Sequence, residues 1–335
     1  MDITPYKLED AAFWANDDRG SDPLGRELVG EYRGVLVDAP LRVDIDRRRT
    51  LPAGLYHLGS IRELVAVKLV SFGIVTAMDV TRNRLYAASA SRLQRDSDMI
   101  ESEPQDPATL PDGDMSTVHA VDLRDMLELP WQPARCLVTV LLRGEASNRA
   151  AVELVRPSAT PADLEAARQQ DAARAASNPG PVWPAPSAPL PTYRRLPESP
   201  PIPMQNGINL ALPRVVDVDR DPRWILYGAY RLTPLAEEMV KPGWADPYFA
   251  ARPTDPKPPA VVVIALLLVG ADDAGISLVQ LRVPASGRVG ESVIGYFAVD
   301  VAQIPGAPGR PQTYFLSAFS GEAMAGPLPT ALVRM

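Results

Sequence analysis

Hydrophobic and polar residues along this chain fall into short runs with the two-residue period of β-strands. Residues 278–283 alternate so that Val279, Leu281 and Val283 share a face opposite Gln280 and Arg282. Residues 260–269, AVVVIALLLV, show no polar alternation, which predicts a central strand covered on both faces or one at a domain junction. Between these runs, Ala271-Asp272-Asp273-Ala274-Gly275 has the Asp/Gly chemistry of a turn joining antiparallel strands. A similar arrangement comes earlier: expected strands at 69–78 and 85–88 flank a turn at 79–83, and 136–142 reads as a further strand.

Parts of the pattern recur. Ala120-Val121-Asp122 returns as Ala298-Val299-Asp300, Gly144-Glu145-Ala146 as Gly321-Glu322-Ala323, and Asp44-Ile45-Asp46-Arg47 as Asp217-Val218-Asp219-Arg220, with Tyr56 answering Tyr230. The offsets are nearly constant, 178 (121 to 299), 177 (144 to 321), 173 (44 to 217) and 174 (56 to 230). Such constancy predicts one module used twice. The expected fold is all-β, two tandem antiparallel β-sandwich modules from an internal duplication, joined by a short helix and a Pro-rich strap. The expected domains are an N-terminal extension at 1–27, a first sandwich at 28–155 with an acidic loop insertion at 92–115, a linker at 156–207 and a second sandwich at 208–335.

Within the linker, Thr160-Pro161-Ala162-Asp163 supplies an N-cap, a first-turn proline and a first-turn acid, so a short polar helix is expected over 164–176. Residues 179–203 contain ten prolines, which favour an extended, semi-rigid segment. It serves either as a spacer or as a strap anchored on one or both sandwiches by Trp183, Leu190 and Tyr193.

The closing stretch, Thr313-Tyr314-Phe315-Leu316-Ser317-Ala318-Phe319, a turn at Ser320-Gly321-Glu322, and a second run over 326–333, resembles the last hairpin of an immunoglobulin-like or fibronectin-III domain. The resemblance spans about twenty residues and lacks the Cys and Trp hallmarks of antibody-type domains. What it implies is an architecture and no particular function.

Composition narrows the function classes. A net charge of −7 and a pI near 5.1 argue against a nucleic-acid partner. Arg47-Arg48-Arg49 and Arg194-Arg195 read as solvated turn or linker residues. One cysteine, Cys136, excludes an intrachain disulfide, and its apolar surroundings predict a buried structural thiol. The first residues lack the basic and apolar regions of a signal peptide, and ten apolar residues at 260–269 are too few to cross a bilayer as a helix, so a cytoplasmic protein without membrane insertion is expected.

Candidate chemistry is sparse. His57 and His119 stand without a metal or catalytic motif, and neither a nucleophile elbow nor a P-loop occurs. Asp217, Asp219 and Asp221 alternate as a weak metal candidate. They fail as an EF-hand because Pro222 replaces the required glycine, and Arg220 and Arg223 offer ion pairs instead. Asp96, Asp98, Glu101 and Glu103 crowd an acidic, Pro-broken loop suited to a basic partner or a cation. With Trp183 and Tyr193 they are the partner-binding candidates. No catalytic residue and no cofactor are assigned. The function expected is a non-catalytic binding or assembly protein, a subunit or accessory component of a larger complex, acting through a composite surface of the two duplicated sandwiches, with another protein as partner. The alternatives are a carboxylate-based hydrolase and a glycan-binding module using Trp14, Trp131, Trp224 and Trp244.

Overall fold

A computed structural model describes residues 33–93, 109–157, 162–163, 166, 169, 182–183, 193–221, 223–233, 261–304 and 310–334. The chain divides into two compact units, Met1–Ala159 with Ala271–Ile276, and Thr160–Gly270 with Ser277–Met335. Both are built from strands.

In the first unit, β1 (Gly34–Asp38), β3 (Pro52–Ser60) and β6 (Asp114–Asp122) form an antiparallel sheet in the order β1-β3-β6. The larger sheet runs β2-β9-β7-β4-β5, from β2 (Arg42–Asp44), β4 (Gly73–Asp79), β5 (Arg84–Ser89), β7 (Ala134–Leu142) and β9 (Ala150–Val155), with β8 (Glu145–Ala146) against β7. Its interior pairs are antiparallel, and β2 joins β9 in parallel at the edge. One core holds the two sheets together: Val35, Val37 and Leu55 from the small sheet meet Val75, Val138, Val140 and Leu154 from the large one. Each comes from the period-2 set of its strand, so alternation in sequence becomes a sandwich in space.

In the second unit, β11 (Gly207–Ala211), β13 (Ile225–Leu232), β16 (Gly287–Val289) and β17 (Ser292–Asp300) form a sheet ordered β11-β13-β17-β16. The larger sheet is β10-β15-β14-β18-β19-β12, from β10 (Val182–Trp183), β12 (Val215–Asp217), β14 (Val261–Gly270), β15 (Ile276–Pro284), β18 (Thr313–Ser320) and β19 (Ala323–Val333). Leu226, Tyr230 and Phe297 pack there against Ile264, Leu266, Leu281 and Leu316. Residues Val279, Leu281 and Val283 all face this core, as their alternation predicts. Strand β14 is buried on both sides, since Ala265 and Leu267 are as inaccessible as Ile264 and Leu266. Strand order repeats between the units: β11-β13-β17 stands for β1-β3-β6, and β15-β14-β18-β19-β12 for β5-β4-β7-β9-β2.

Short helices mark the differences from the sequence expectation. Residues 69–78 do not form one strand, because Leu69–Phe72 is a helical turn (α2) that buries Leu69 in the first core. Gly73 lets β4 start directly beyond it, where a Cβ would lie 2.5 Å from the Leu69 carbonyl oxygen. Before it, α1 (Ile61–Ala66) starts with a capping box. Ser60 Oγ accepts from the Glu63 amide and the Glu63 carboxylate accepts from the Ser60 amide. A third helix, α3 (Leu123–Leu127), follows Asp122. Of the helix expected at 164–176, the described residues Ala166 and Gln169 are helical, as are Ala162 and Asp163 before it; the rest lies outside the described residues.

Candidate functional site

The repeated acidic residues are structural in both units. Asp122 Oδ1 accepts from the Leu51 amide at 2.9 Å and the Arg124 amide at 3.0 Å, while Leu123 donates to the Leu51 carbonyl at 2.8 Å. Asp300 Oδ1 accepts from the Trp224 and Ala302 amides, both at 3.1 Å, while Val301 donates to the Trp224 carbonyl at 2.7 Å. One carboxylate thus pins the start of a neighbouring strand and caps the helical turn that follows its own. Asp44 and Asp217 match each other too. Each turns its carboxylate onto the amide two residues on, Asp46 at 3.0 Å and Asp219 at 3.1 Å.

This accounts for the weak metal candidates. Asp217 is used in the turn, Asp219 is exposed, and Asp221 forms a two-pronged pair with Arg223, both contacts at 3.0 Å. The Arg223 side chain, helped by its amide, holds the Asp221 carboxyl down at about 2. Among the described residues no group of three or more His, Cys, Asp or Glu side chains is placed to hold a metal ion.

Buried titratable groups are likewise absorbed by the fold. Asp79, whose carboxyl is pushed up by burial, accepts from the Arg82 amide and guanidinium at 3.0 Å each, and the same guanidinium reaches the Pro133 carbonyl at 3.1 Å. Cys136 is buried on β7, and burial raises its thiol to about 12, the opposite of an activated nucleophile.

His57 is buried and His119 half-buried. Register pairs Val35 with His57, His57 with Thr117 and Leu55 with His119, so both histidines project to the side of the small sheet that carries Val35 and Leu55 into the core. His57 is 7% exposed and its Nδ1 is buried without a hydrogen-bond partner. Register also corrects the matching of the two units. Counted from the shared Asp contacts, Leu51 answers Trp224, which makes His57 the counterpart of Tyr230 and His119 that of Phe297. The offset that pairs Tyr56 with Tyr230 is one residue too long, and one residue moves a side chain to the other face.

Of the partner-binding candidates, Asp96, Asp98, Glu101 and Glu103 lie outside the described residues. At the end of their loop, Asp112 pairs with Arg62 at 2.9 Å and Asp114 with Arg33 at 2.7 Å. The linker is better defined. Val182–Trp183 adds in parallel to the edge of β15, opposite Gln280 and Leu281, and Tyr193 packs on the second core. Residues 196–206 then follow the small sheet of the same unit. Asn209 donates to the Pro201 carbonyl at 2.8 Å, Arg231 to the Met204 carbonyl, and the Thr233 amide to Asn206 Oδ1 at 3.1 Å. Leu190 lies outside the described residues. Of the tryptophans offered to a glycan, Trp224 is fully buried beside Tyr314, ring centres 5.4 Å apart. Trp131 is half-buried, donates to the Ile45 and Arg48 carbonyls and carries Arg124 over its ring at 4.8 Å. Trp14 and Trp244 lie outside the described residues.

No protein-family model and no curated protein matches the chain. Among solved structures, two crystal forms of a bacterial adhesin from Mobiluncus mulieris containing intramolecular disulfide, isopeptide and ester bond cross-links are similar at 8% and 9% identity. They cover 85% of this chain and 79% and 81% of theirs, with TM-scores of 0.14 and 0.13. Likenesses at this level carry no argument about function.

Proposed function

We propose that the chain is a non-catalytic binding or assembly protein, a subunit or accessory component of a larger complex, with another protein as its partner. In this reading the two units derive by duplication from one immunoglobulin- or fibronectin-III-like sandwich, which the shared strand order and the matched roles of Asp122 and Asp300 support. The observation that carries the function is the docked linker: a Pro-flanked extended segment adds a strand to β15 and continues along the small sheet through backbone carbonyls. Strand addition of this kind is also how sheet modules bind extended segments of other chains. The acidic loop with Asp96, Asp98, Glu101 and Glu103 supplies charge for selecting a basic partner. Among the described residues no helix is long and apolar enough to cross a membrane, and the reading keeps the cytoplasm as the place of action.

Affinity isolation of the full chain from its native host tests this, followed by reconstitution of the captured protein with purified chain. The expected result is a stoichiometric complex that survives gel filtration and weakens when the four loop acids become amides. Turnover of a glycoside or peptide panel by the purified chain, or retention on polysaccharide with no protein partner, overturns it.

A further inference from the structure

The two units have the same strand order, yet differ at two core-facing positions of the small sheet. The first has His57 and His119 where the second has Tyr230 and Phe297. The two histidines are diagonal neighbours, since His57 stands opposite Thr117 and His119 opposite Leu55. Diagonal positions of this kind lie about 7–8 Å apart, with their Cβ atoms somewhat closer. A neutral imidazole tolerates an unpartnered ring nitrogen, because that nitrogen is only an unused acceptor. An imidazolium does not: both nitrogens then donate, and the buried Nδ1 of His57 has nothing to receive its proton.

We propose that these paired histidines make the small sheet of the first unit an acid-sensitive element, which loosens below neutral pH while the small sheet of the second unit holds. This lies beyond the binding role and does not depend on it. The charged groups acting on His57 are Glu145 on β8 and Glu63 on α1. Both are exposed carboxylates that favour the proton, and burial outweighs them, so His57 titrates below its ordinary 6.5. For His119 burial acts alone and in the same direction. A lowered folded value means that the open state binds more protons, so stability is present above 6.5 and is lost as pH falls below it. The opening equilibrium grows by up to about tenfold per histidine one pH unit below 6.5, and by up to about a hundredfold for the pair. Tyr230 and Phe297 gain no charge in this range. Burial raises the Tyr230 hydroxyl further from it.

Hydrogen exchange of the full chain at pH 7.5 and 5.5, corrected for intrinsic rates, reads this directly. Amides of β3 and β6 should lose protection, by up to about a hundredfold, whereas β13 and β17 change little. The double variant His57→Tyr, His119→Phe should abolish the difference. If that variant does not fold, labelled-histidine NMR of the parent decides instead, because the chain has only these two histidines. Both signals should resist protonation to below pH 6.5. Folded histidines that titrate at or above 6.5, or equal loss of protection in both units, overturn the proposal.

Discussion

Replacing Asp300 by alanine removes one carboxylate oxygen that two amides share, so the cost follows from what each loses. The Trp224 amide is buried, and leaving a buried donor unpaired costs about 1–3 kcal/mol. The Ala302 amide loses its helix cap, worth about 0.5–2 kcal/mol. Because the two contacts share an acceptor and do not simply add, about 2–4 kcal/mol is expected. Asparagine keeps an oxygen at the Oδ1 position, so Asp300→Asn should fall within about 1 kcal/mol of the parent. Exchange of β13 and β17 amides with increasing urea measures opening of the second unit apart from the first. Asp122→Ala should have the same effect on β3 and β6, through Leu51 and Arg124. A change below about 0.5 kcal/mol for Asp300→Ala, or an equal loss for alanine and asparagine, would show that the shared acceptor does not hold the strands together.

Gly228→Ala drives a Cβ into the Phe297 ring, an overpacking that should cost about 1–3 kcal/mol by thermal unfolding. The Asp221 carboxyl should titrate at about 2 by NMR and return toward 3.8 in Arg223→Ala. Its contribution is present above the unfolded value and is lost as pH falls through the folded one. Cys136 should react with a thiol reagent only as the first unit unfolds, so its labelling rate under native conditions should follow urea concentration. Labelling at the rate of a free thiol without urea would contradict its place in β7.

Strands with strong signals were legible from residues alone. The alternation at 278–283 and the unbroken apolar run at 260–269 correctly separate a core-facing face from a strand buried on both sides. The last hairpin lies where its turn at Ser320-Gly321-Glu322 puts it. The short helices were harder, since four to six residues give no periodicity. Ser60-Ile61-Arg62-Glu63 nevertheless carried a readable capping box. Matching Tyr56 to Tyr230 went wrong because identity of side chain outweighed parity, and only ladder register exposes a shift of one residue. Docking of the linker was left open by composition, because proline fixes an extended backbone without specifying what it lies against. The contacts that decide it, from Asn209 and Arg231 to carbonyls of the segment, leave no pattern in sequence.

The parallel edge pairs have a consequence for synthesis on the ribosome. Strand β2 closes against β9, and β12 against β19, so an early strand of each large sheet waits for the last one to be made. Until then, its edge groups and the apolar residues behind them stay open to other chains. The sheets of the first unit can close once Val155 has emerged, long before β19 exists, and only the short segment Ala271–Ile276 of that unit comes later. In the second, Val215 to Asp217 must wait through more than a hundred residues for Ala331 to Val333. Nascent chains stalled within that interval should hold a closed first sandwich beside an open second one, and the second half of the molecule is therefore where a chaperone would be needed during translation.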